Sequence, residues 1–234
     1  MNLFYTEKIE GDRAFMSEEE ARHVVQVLRK REGDELYFTD GKGGMYKGKI
    51  AETGKKKCVL RITESKQNHG ARRVRLHLAV APTKNINRYE WFLEKATEIG
   101  IEEITPLLCA HSERTRVRLD RLEKILLSAM KQSLHAYLPK LNEPIKFAKF
   151  ITHQSSAQKY IAHCEEDTDK NQLKDLLHDR ENILLLIGPE GDFSKEEIEA
   201  AKAAGFVPTA LGDTRLRTET AAIYAAVITA ARLI

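Results

Sequence analysis

The chain has 234 residues, 42% of them apolar and 31% charged, with a mean hydropathy of −0.44 and a net charge of +3. That is the profile of a soluble globular protein with one large domain or two small ones. No basic stretch leads into an apolar run near Met1–Asp12, and the most apolar run, Ala221–Ile234, is too short and alanine-rich to span a bilayer. No secretory leader and no membrane span are therefore expected, and a cytoplasmic protein is.

The positive charge is unevenly spread. Residues 1–75 carry 17 Lys/Arg against 12 Asp/Glu, while the remainder is slightly acidic. That excess suggests an N-terminal module that meets a polyanion. Leu3–Tyr5 reads as a short strand, and Ser17–Glu20 as a capping box opening a helix with Ala21, Val24, Val25 and Leu28 on its apolar side. Glu35–Thr39, Met45–Ala51 and Cys58–Thr63 alternate as strands, separated by the glycine turns at residues 40–44 and 53–55. Together they predict a small β-barrel, closed by a polar linker at Lys66–Gly70, so the expected domains are 1–70 and 71–234.

Beyond that point the period changes. Strands are predicted at Val74–Ala81, Ile104–Leu108, Lys159–His163, Ile183–Ile187 and Val207–Leu211. Helices are predicted at Asn87–Ile99 (Trp91, Phe92, Ala96 and Ile99 on one side), from Asp120 to about His135, at Asn171–His178, from Ser194 to Ala204, and at Thr218–Ile234. Alternating strands and helices predict an α/β fold around a mostly parallel sheet.

Several chemistries lack their signatures. There is no Gly-x-Gly-x-x-Gly after the first strand of this half, no Gly-Lys-Ser/Thr phosphate loop and no Gly-x-Ser-x-Gly elbow. The three cysteines, Cys58, Cys109 and Cys164, form no Cys-x-x-Cys pair, and no histidines have His-x-x-x-His spacing. No disulfide framework and no metal site are expected.

Two glycine loops remain. Ile183–Ile187 is a run of five large apolar residues, as in a strand buried on both faces. It enters Gly188-Pro189-Glu190-Gly191, followed by the capping box Ser194–Glu197. The second loop, Leu211-Gly212-Asp213-Thr214-Arg215-Leu216-Arg217, follows a strand and leads into the helix at Thr218. Each is either a tight strand-to-helix connection or one side of a ligand crevice. Two adjacent strand ends in one sheet could hold a flat ligand between them.

Gly-Pro-Glu-Gly-Asp-Phe-Ser at Gly188–Ser194 and Leu-Arg-Thr-Glu-Thr-Ala at Leu216–Ala221 resemble the paired signatures of the RsmE family. These are SPOUT methyltransferases that modify 16S ribosomal RNA at a uridine N3. The resemblance extends to Lys84 with Glu94–Gly100, to Ser112-Glu113-Arg114, to Gln132-Ser133, and to His23, Val27-Leu28-Arg29 and Gly33-Asp34. Three positions depart from the family pattern: Asp192 stands for a glycine, Arg215 for an apolar residue, and Leu134-His135 follows where an arginine is usual.

The resemblance implies a SPOUT-type C-terminal domain with a deep trefoil knot, a PUA-like RNA-binding barrel and a homodimer, with no membrane and no metal. It implies S-adenosyl-L-methionine as methyl donor, held by Ile187, Gly188, Pro189, Glu190, Gly191, Leu211, Gly212, Leu216, Arg217 and Thr218. Arg217 would stabilise the uridine anion and Glu190 would accept or relay its proton. Arg29, Arg114 and Arg116 would meet phosphates of the partner, 16S rRNA in the small ribosomal subunit. The alternatives are a SPOUT enzyme acting on tRNA or a ribose 2′-hydroxyl, and a catalytically silent RNA-binding or assembly protein.

Overall fold

The computed structural model describes residues 2–152, 154, 158–165, 170–179 and 181–233. They divide into two compact units, one holding the chain up to Ala71 together with Leu127–Leu138, the other Arg72–Leu126 and the chain from Pro139 on. The expectation of two consecutive pieces has no counterpart for Leu127–Leu138, which joins the first unit through main-chain hydrogen bonds of Ala136 and Leu138 to Gly43 and Gly41 and through side chains. Lys131 Nζ lies 2.5 Å from the buried carboxylate of Glu20, and Thr39 Oγ1 donates to the Ala136 carbonyl at 3.1 Å.

The first unit contains β1 (Leu3–Tyr5), β2 (Ile9–Glu10), β3 (Arg13–Phe15), β4 (Glu35–Thr39), β5 (Met45–Thr53) and β6 (Cys58–Lys66). Their order is β1-β4-β5-β6-β3-β2, antiparallel except for β1 on β4. Among the described residues no pair joins β1 to β2, so the sheet is open in its hydrogen bonding where a closed barrel was expected. Phe4, Phe38, Ile50 and Leu60 fill its core with Ala21 and Val24. The helix carrying those two residues is shorter than its apolar spacing predicts. Helix α1 spans only Glu18–Arg22, and His23–Val27 widens into a π-helical turn ended by Arg29 at φ +54°. Ser17 caps α1 by accepting from Glu20 N, but the Glu20 side chain turns to Lys131, so only half of the expected capping box forms.

The second unit runs β7 (Leu76–Val80), α2 (Ile86–Ile99), β8 (Glu103–Leu108), α3 (Leu119–Gln132, its residues from Leu127 belonging to the first unit), β9 (Lys140–Leu141), β10 (Ile145–Lys146) and α4 (Phe147–Ile151). It continues with β11 (Gln158–Ala162), β12 (Asn171–Gln172), α5 (Leu173–Leu176), β13 (Ile183–Ile187), α6 (Lys195–Ala203), β14 (Val207–Ala210) and α7 (Thr218–Leu233). The sheet order is β10-β8-β7-β13-β11-β14-β12, with β9 also on β8, and every pairing is parallel. β13 lies at its centre, all five side chains buried, as the unbroken apolar run predicts. Each such side chain contributes roughly 1.5–3 kcal/mol by leaving water.

Local differences have local causes. The buried stripe of α2 is Tyr89, Phe92, Leu93, Ala96 and Thr97, at helical spacing, which leaves Trp91 47% exposed rather than on the core side. Gly100 ends this helix at φ +94°, and the Arg72 guanidinium donates to the carbonyls of Ile99 and Gly100. α3 begins at Leu119, so Asp120 lies inside its first turn, where its carboxylate accepts from Arg118. The helix predicted at Asn171–His178 is reduced to α5 because Asn171–Gln172 pairs with β14. The expected last residue of α7, Ile234, lies outside the described residues. Among the described residues no helix is long and apolar enough to cross a membrane.

Candidate active site

Three strand ends stand level at the carboxyl edge of the parallel sheet, where Ala162 at the end of β11 pairs with both Ile187 of β13 and Thr209 of β14. Ligands of open α/β sheets bind at this edge. The two glycine loops therefore do not follow adjacent strands. β11 runs between them, and its own following segment, Ala162–Glu165, is a third wall.

The loop after β13 is braced on every side. Gly188 is required by proximity. A Cβ there would sit 3.1 Å from the Phe193 ring and 3.2 Å from the Phe193 amide nitrogen. Ser194 and Glu197 form the complete capping box that opens α6, and the second Glu197 oxygen accepts from Ala110 N at 2.8 Å. His111 Nδ1 lies 3.1 Å from the carbonyls of Gly191 and Asp192. Asp192 has φ +62°, the left-handed region that explains the family's glycine at this position and that Asp tolerates better than most residues. Its carboxylate accepts from Phe193 N at 2.8 Å and from Cys164 N at 2.7 Å, tying this loop to the wall after β11.

The loop after β14 is held mainly at its ends. Gly212, at φ +108°, donates its N–H to Gln172 Oε1 at 2.9 Å. At the far end Thr218 Oγ1, buried, donates to the Gly188 carbonyl at 3.0 Å and joins the two glycine loops directly. Between these points Gly212–Arg215 and Arg217 are exposed.

Two cavities open between the three walls. One, of about 280 Å³, is lined by Ile187, Gly188, Pro189, Glu190, Asp192, Leu216, Arg217 and Thr218. The other, of about 320 Å³, is lined by Thr209–Thr214 with His163 and Lys170. They share Ala162, Cys164, Arg215, Leu216 and Ala221, and form a continuous apolar-walled crevice of the size that small-molecule sites have. Burial, reinforced by the Asp192 carboxylate and opposed by the Arg215 guanidinium, raises the Cys164 thiol above its ordinary range. Among the described residues no group of three or more His, Cys, Asp or Glu could hold a metal ion.

Nine of the ten residues expected around a donor line this crevice. Gly191 does not: it lies against His111 and borders a neighbouring polar cavity of about 560 Å³ that also touches Asp192 and Arg215. Glu190 is exposed, and its Oε1 accepts from Lys84 N at 3.0 Å. Arg114 is committed to structure, with Nε and one terminal nitrogen donating to the carbonyls of Thr83 and Lys84. Arg116 is exposed in the same unit, and Arg29 is exposed in the first unit. Sequence reasoning missed Ala162, His163, Cys164 and Ala221 as lining residues and His111 as a brace. The signal for Ala162, His163 and Cys164 is the pairing of β11 between β13 and β14, while Ala221 ends the Leu216–Ala221 motif.

Comparison with known proteins fits this architecture. Residues 71–230 match the model of an RNA methyltransferase domain, and residues 17–63 match that of an RNA methyltransferase PUA domain. Ribosomal RNA small subunit methyltransferase E of Mesomycoplasma hyopneumoniae is 32% identical over 162 residues, covering 67% of this chain and 69% of that protein. The crystal structure of a probable rRNA-methyltransferase from Porphyromonas gingivalis superposes with a TM-score of 0.92 at 39% identity, covering 100% of this chain and 98% of the other. Ribosomal RNA small subunit methyltransferase E from Neisseria gonorrhoeae, bound to S-adenosyl methionine, superposes with a TM-score of 0.85 at 26% identity, covering 98% and 96%. The chain belongs to the ribosomal RNA small subunit methyltransferase E family.

Proposed function

We propose that this protein transfers the methyl group of S-adenosylmethionine to N3 of a uridine in 16S rRNA of the small ribosomal subunit. The observation that carries the reading is the crevice at the ends of β11, β13 and β14, whose two glycine walls are joined by the Thr218–Gly188 hydrogen bond. The residues present fit the donor. Ile187, Leu216 and Ala221 offer apolar walls to a purine and ribose, and the glycines let main chain approach closely. Gly212 N is already held by Gln172, so main-chain recognition falls to the other N–H and carbonyl groups of the walls.

When bound, the donor supplies an electrophilic methyl carbon on a sulfonium. N3–CH3 forms as C–S breaks, sulfur leaves as a thioether and the N3 proton passes to solvent. The protein's main contribution is to hold nitrogen, carbon and sulfur in line. Arg217, exposed at the crevice, stabilises the negative charge that develops on the uracil ring. Glu190 takes the lesser part. An exposed carboxylate is a weak base for an imide, so Glu190 braces the loop through Lys84 N and passes the proton outward. Arg29 and Arg116 meet RNA phosphates, and Arg114 shapes the loop that does so. The target base leaves its stack at a cost of roughly a few kcal/mol.

Under this reading the first unit is the PUA-like RNA-binding module and the second, threaded as a trefoil knot, holds the donor. The protein works in the cytoplasm as a homodimer. Trp91 on α2 with Tyr224 and Val227 on α7, all exposed on two helices packed together, supports the dimer. Sedimentation at micromolar concentration checks it, a monomer counting against the assignment. The activity is tested by incubating undermodified small subunits with labelled donor and identifying the product nucleoside. 3-Methyluridine is expected; a 2′-O-methylated nucleoside, or donor binding without transfer, would overturn the reading.

A further inference from the structure

Two of the positions that depart from the family pattern meet at one place. Asp192, on the loop after β13, and Arg215, on the loop after β14, both line the first cavity and both line the polar cavity beside it. They flank Cys164, which borders the same cavities, and the thiol feels both charges. The Asp192 carboxylate is fixed by its left-handed backbone and two main-chain N–H donors, also accepts from the Cys164 thiol, and keeps one lone pair for a ligand. Arg215 is exposed and, among the described residues, makes no hydrogen bond or ion pair. A rigid carboxylate and an uncommitted guanidinium on facing loops offer one acceptor and one bidentate donor.

Resting on the donor reading above, we propose that Asp192 and Arg215 form a recognition pair for the zwitterionic amino-acid end of the methyl donor. Arg215 takes the α-carboxylate and Asp192 takes the α-ammonium. An RNA phosphate is the weaker candidate for Arg215, because the neighbouring Asp192 carboxylate repels an anion that carries no cation of its own. A zwitterion matches both charges. The nearby Glu190 and Arg217 do not compete for this role, since Glu190 is tied to Lys84 and Arg217 lies outside the polar cavity.

Titration calorimetry on the full-length protein tests the pair with three ligands: S-adenosylmethionine, its decarboxylated form, and 5′-methylthioadenosine, which lacks the amino-acid end and the sulfonium charge. Arg215→Leu is expected to weaken S-adenosylmethionine about tenfold or more while leaving 5′-methylthioadenosine and the decarboxylated donor within about twofold. Asp192→Asn keeps the left-handed backbone. It is expected to weaken both ammonium-bearing ligands and to spare 5′-methylthioadenosine. Equal weakening of all three ligands by both variants would mean a distorted pocket and would overturn the pair, as would no change in any of them. An Arg215→Leu protein that binds the donor normally but an rRNA fragment poorly assigns Arg215 to RNA and also overturns it. Wild-type protein that binds none of the three ligands sinks the donor reading itself, a result distinct from failure of the pair alone.

Discussion

The two glycine loops line one crevice but keep their shapes by different means. The loop after β13 is packed from within. Gly188 sits against the buried Phe193 ring, and Glu197, His111 and Asp192 each fix a different stretch of it. The loop after β14 crosses five residues between its ties at Gln172 and Thr218, most of them exposed. Few buried contacts and exposed backbone are the physical content of a segment that opens easily. In the proposed function, the braced loop is the fixed wall against which the donor is placed, and the tethered loop carries the charges, Arg215 and Arg217, that reach a ligand.

The largest effect expected from this division falls on the tethered side. In the proposed mechanism Arg217 acts only as negative charge develops on the base, so in Arg217→Ala turnover should fall about a hundredfold or more. Donor affinity should stay within about threefold, since the wall residues are untouched. Single-turnover rates beside calorimetry separate the two, and wild-type turnover in the variant would remove Arg217 from the mechanism.

A methyl group added to each loop sharpens the contrast. Gly188→Ala places a Cβ 3.1–3.2 Å from a core aromatic ring and its backbone nitrogen, which must give by a few tenths of an ångström. It should cost about 1–3 kcal/mol of stability and disturb donor binding. Gly212→Ala meets nothing within 4 Å, so its cost is only that of a left-handed backbone, about 1 kcal/mol. Urea denaturation of the two variants measures the difference. Equal losses would contradict the distinction between the loops.

Thr218→Val tests their link. The variant keeps side-chain volume but leaves the buried Gly188 carbonyl without its partner. About 1–2 kcal/mol of stability should be lost, with donor affinity reduced about tenfold because the walls are no longer in fixed relation. If the affinity is unchanged, the bond serves the fold alone.

The braced loop is also the one legible in the sequence, and for the same reason. Glycine turn, proline and capping box are local signals, and Ile183–Ile187 shows its two-sided burial in five consecutive residues. The third wall has no local signal. Ala162 and Cys164 reach the crevice because β11 inserts between β13 and β14, a parallel pairing that neither chain order nor periodicity marks. Arg114, expected at an RNA phosphate, and Glu190, expected at the uridine proton, are both tied to the Thr83–Lys84 backbone brought beside them by tertiary packing, which the sequence does not mark. The π-helical turn at His23–Val27 likewise escapes a pattern that reads only apolar spacing. Family resemblance supplied the ligand, which no local pattern could have named.

The smallest effect expected is at the near end of the tethered loop. Gln172 holds Gly212 N through Oε1 at 2.9 Å and approaches Asp213 Oδ1 through Nε2 at 3.4 Å. These bonds are exposed, so Gln172→Ala should lower stability by less than about 1 kcal/mol, water replacing the lost partners. Its consequence should be kinetic and entropic. A loop freed at one end must be ordered again when the donor binds, which predicts a two- to threefold loss of affinity, roughly 0.5 kcal/mol, with a more unfavourable binding entropy. Hydrogen exchange at Gly212–Arg215 should rise in the variant while the loop after β13 keeps its protection. Faster exchange in both loops would show that the Thr218–Gly188 bond transmits motion from one to the other, and the braced loop would then be rigid only as long as its neighbour is tied down.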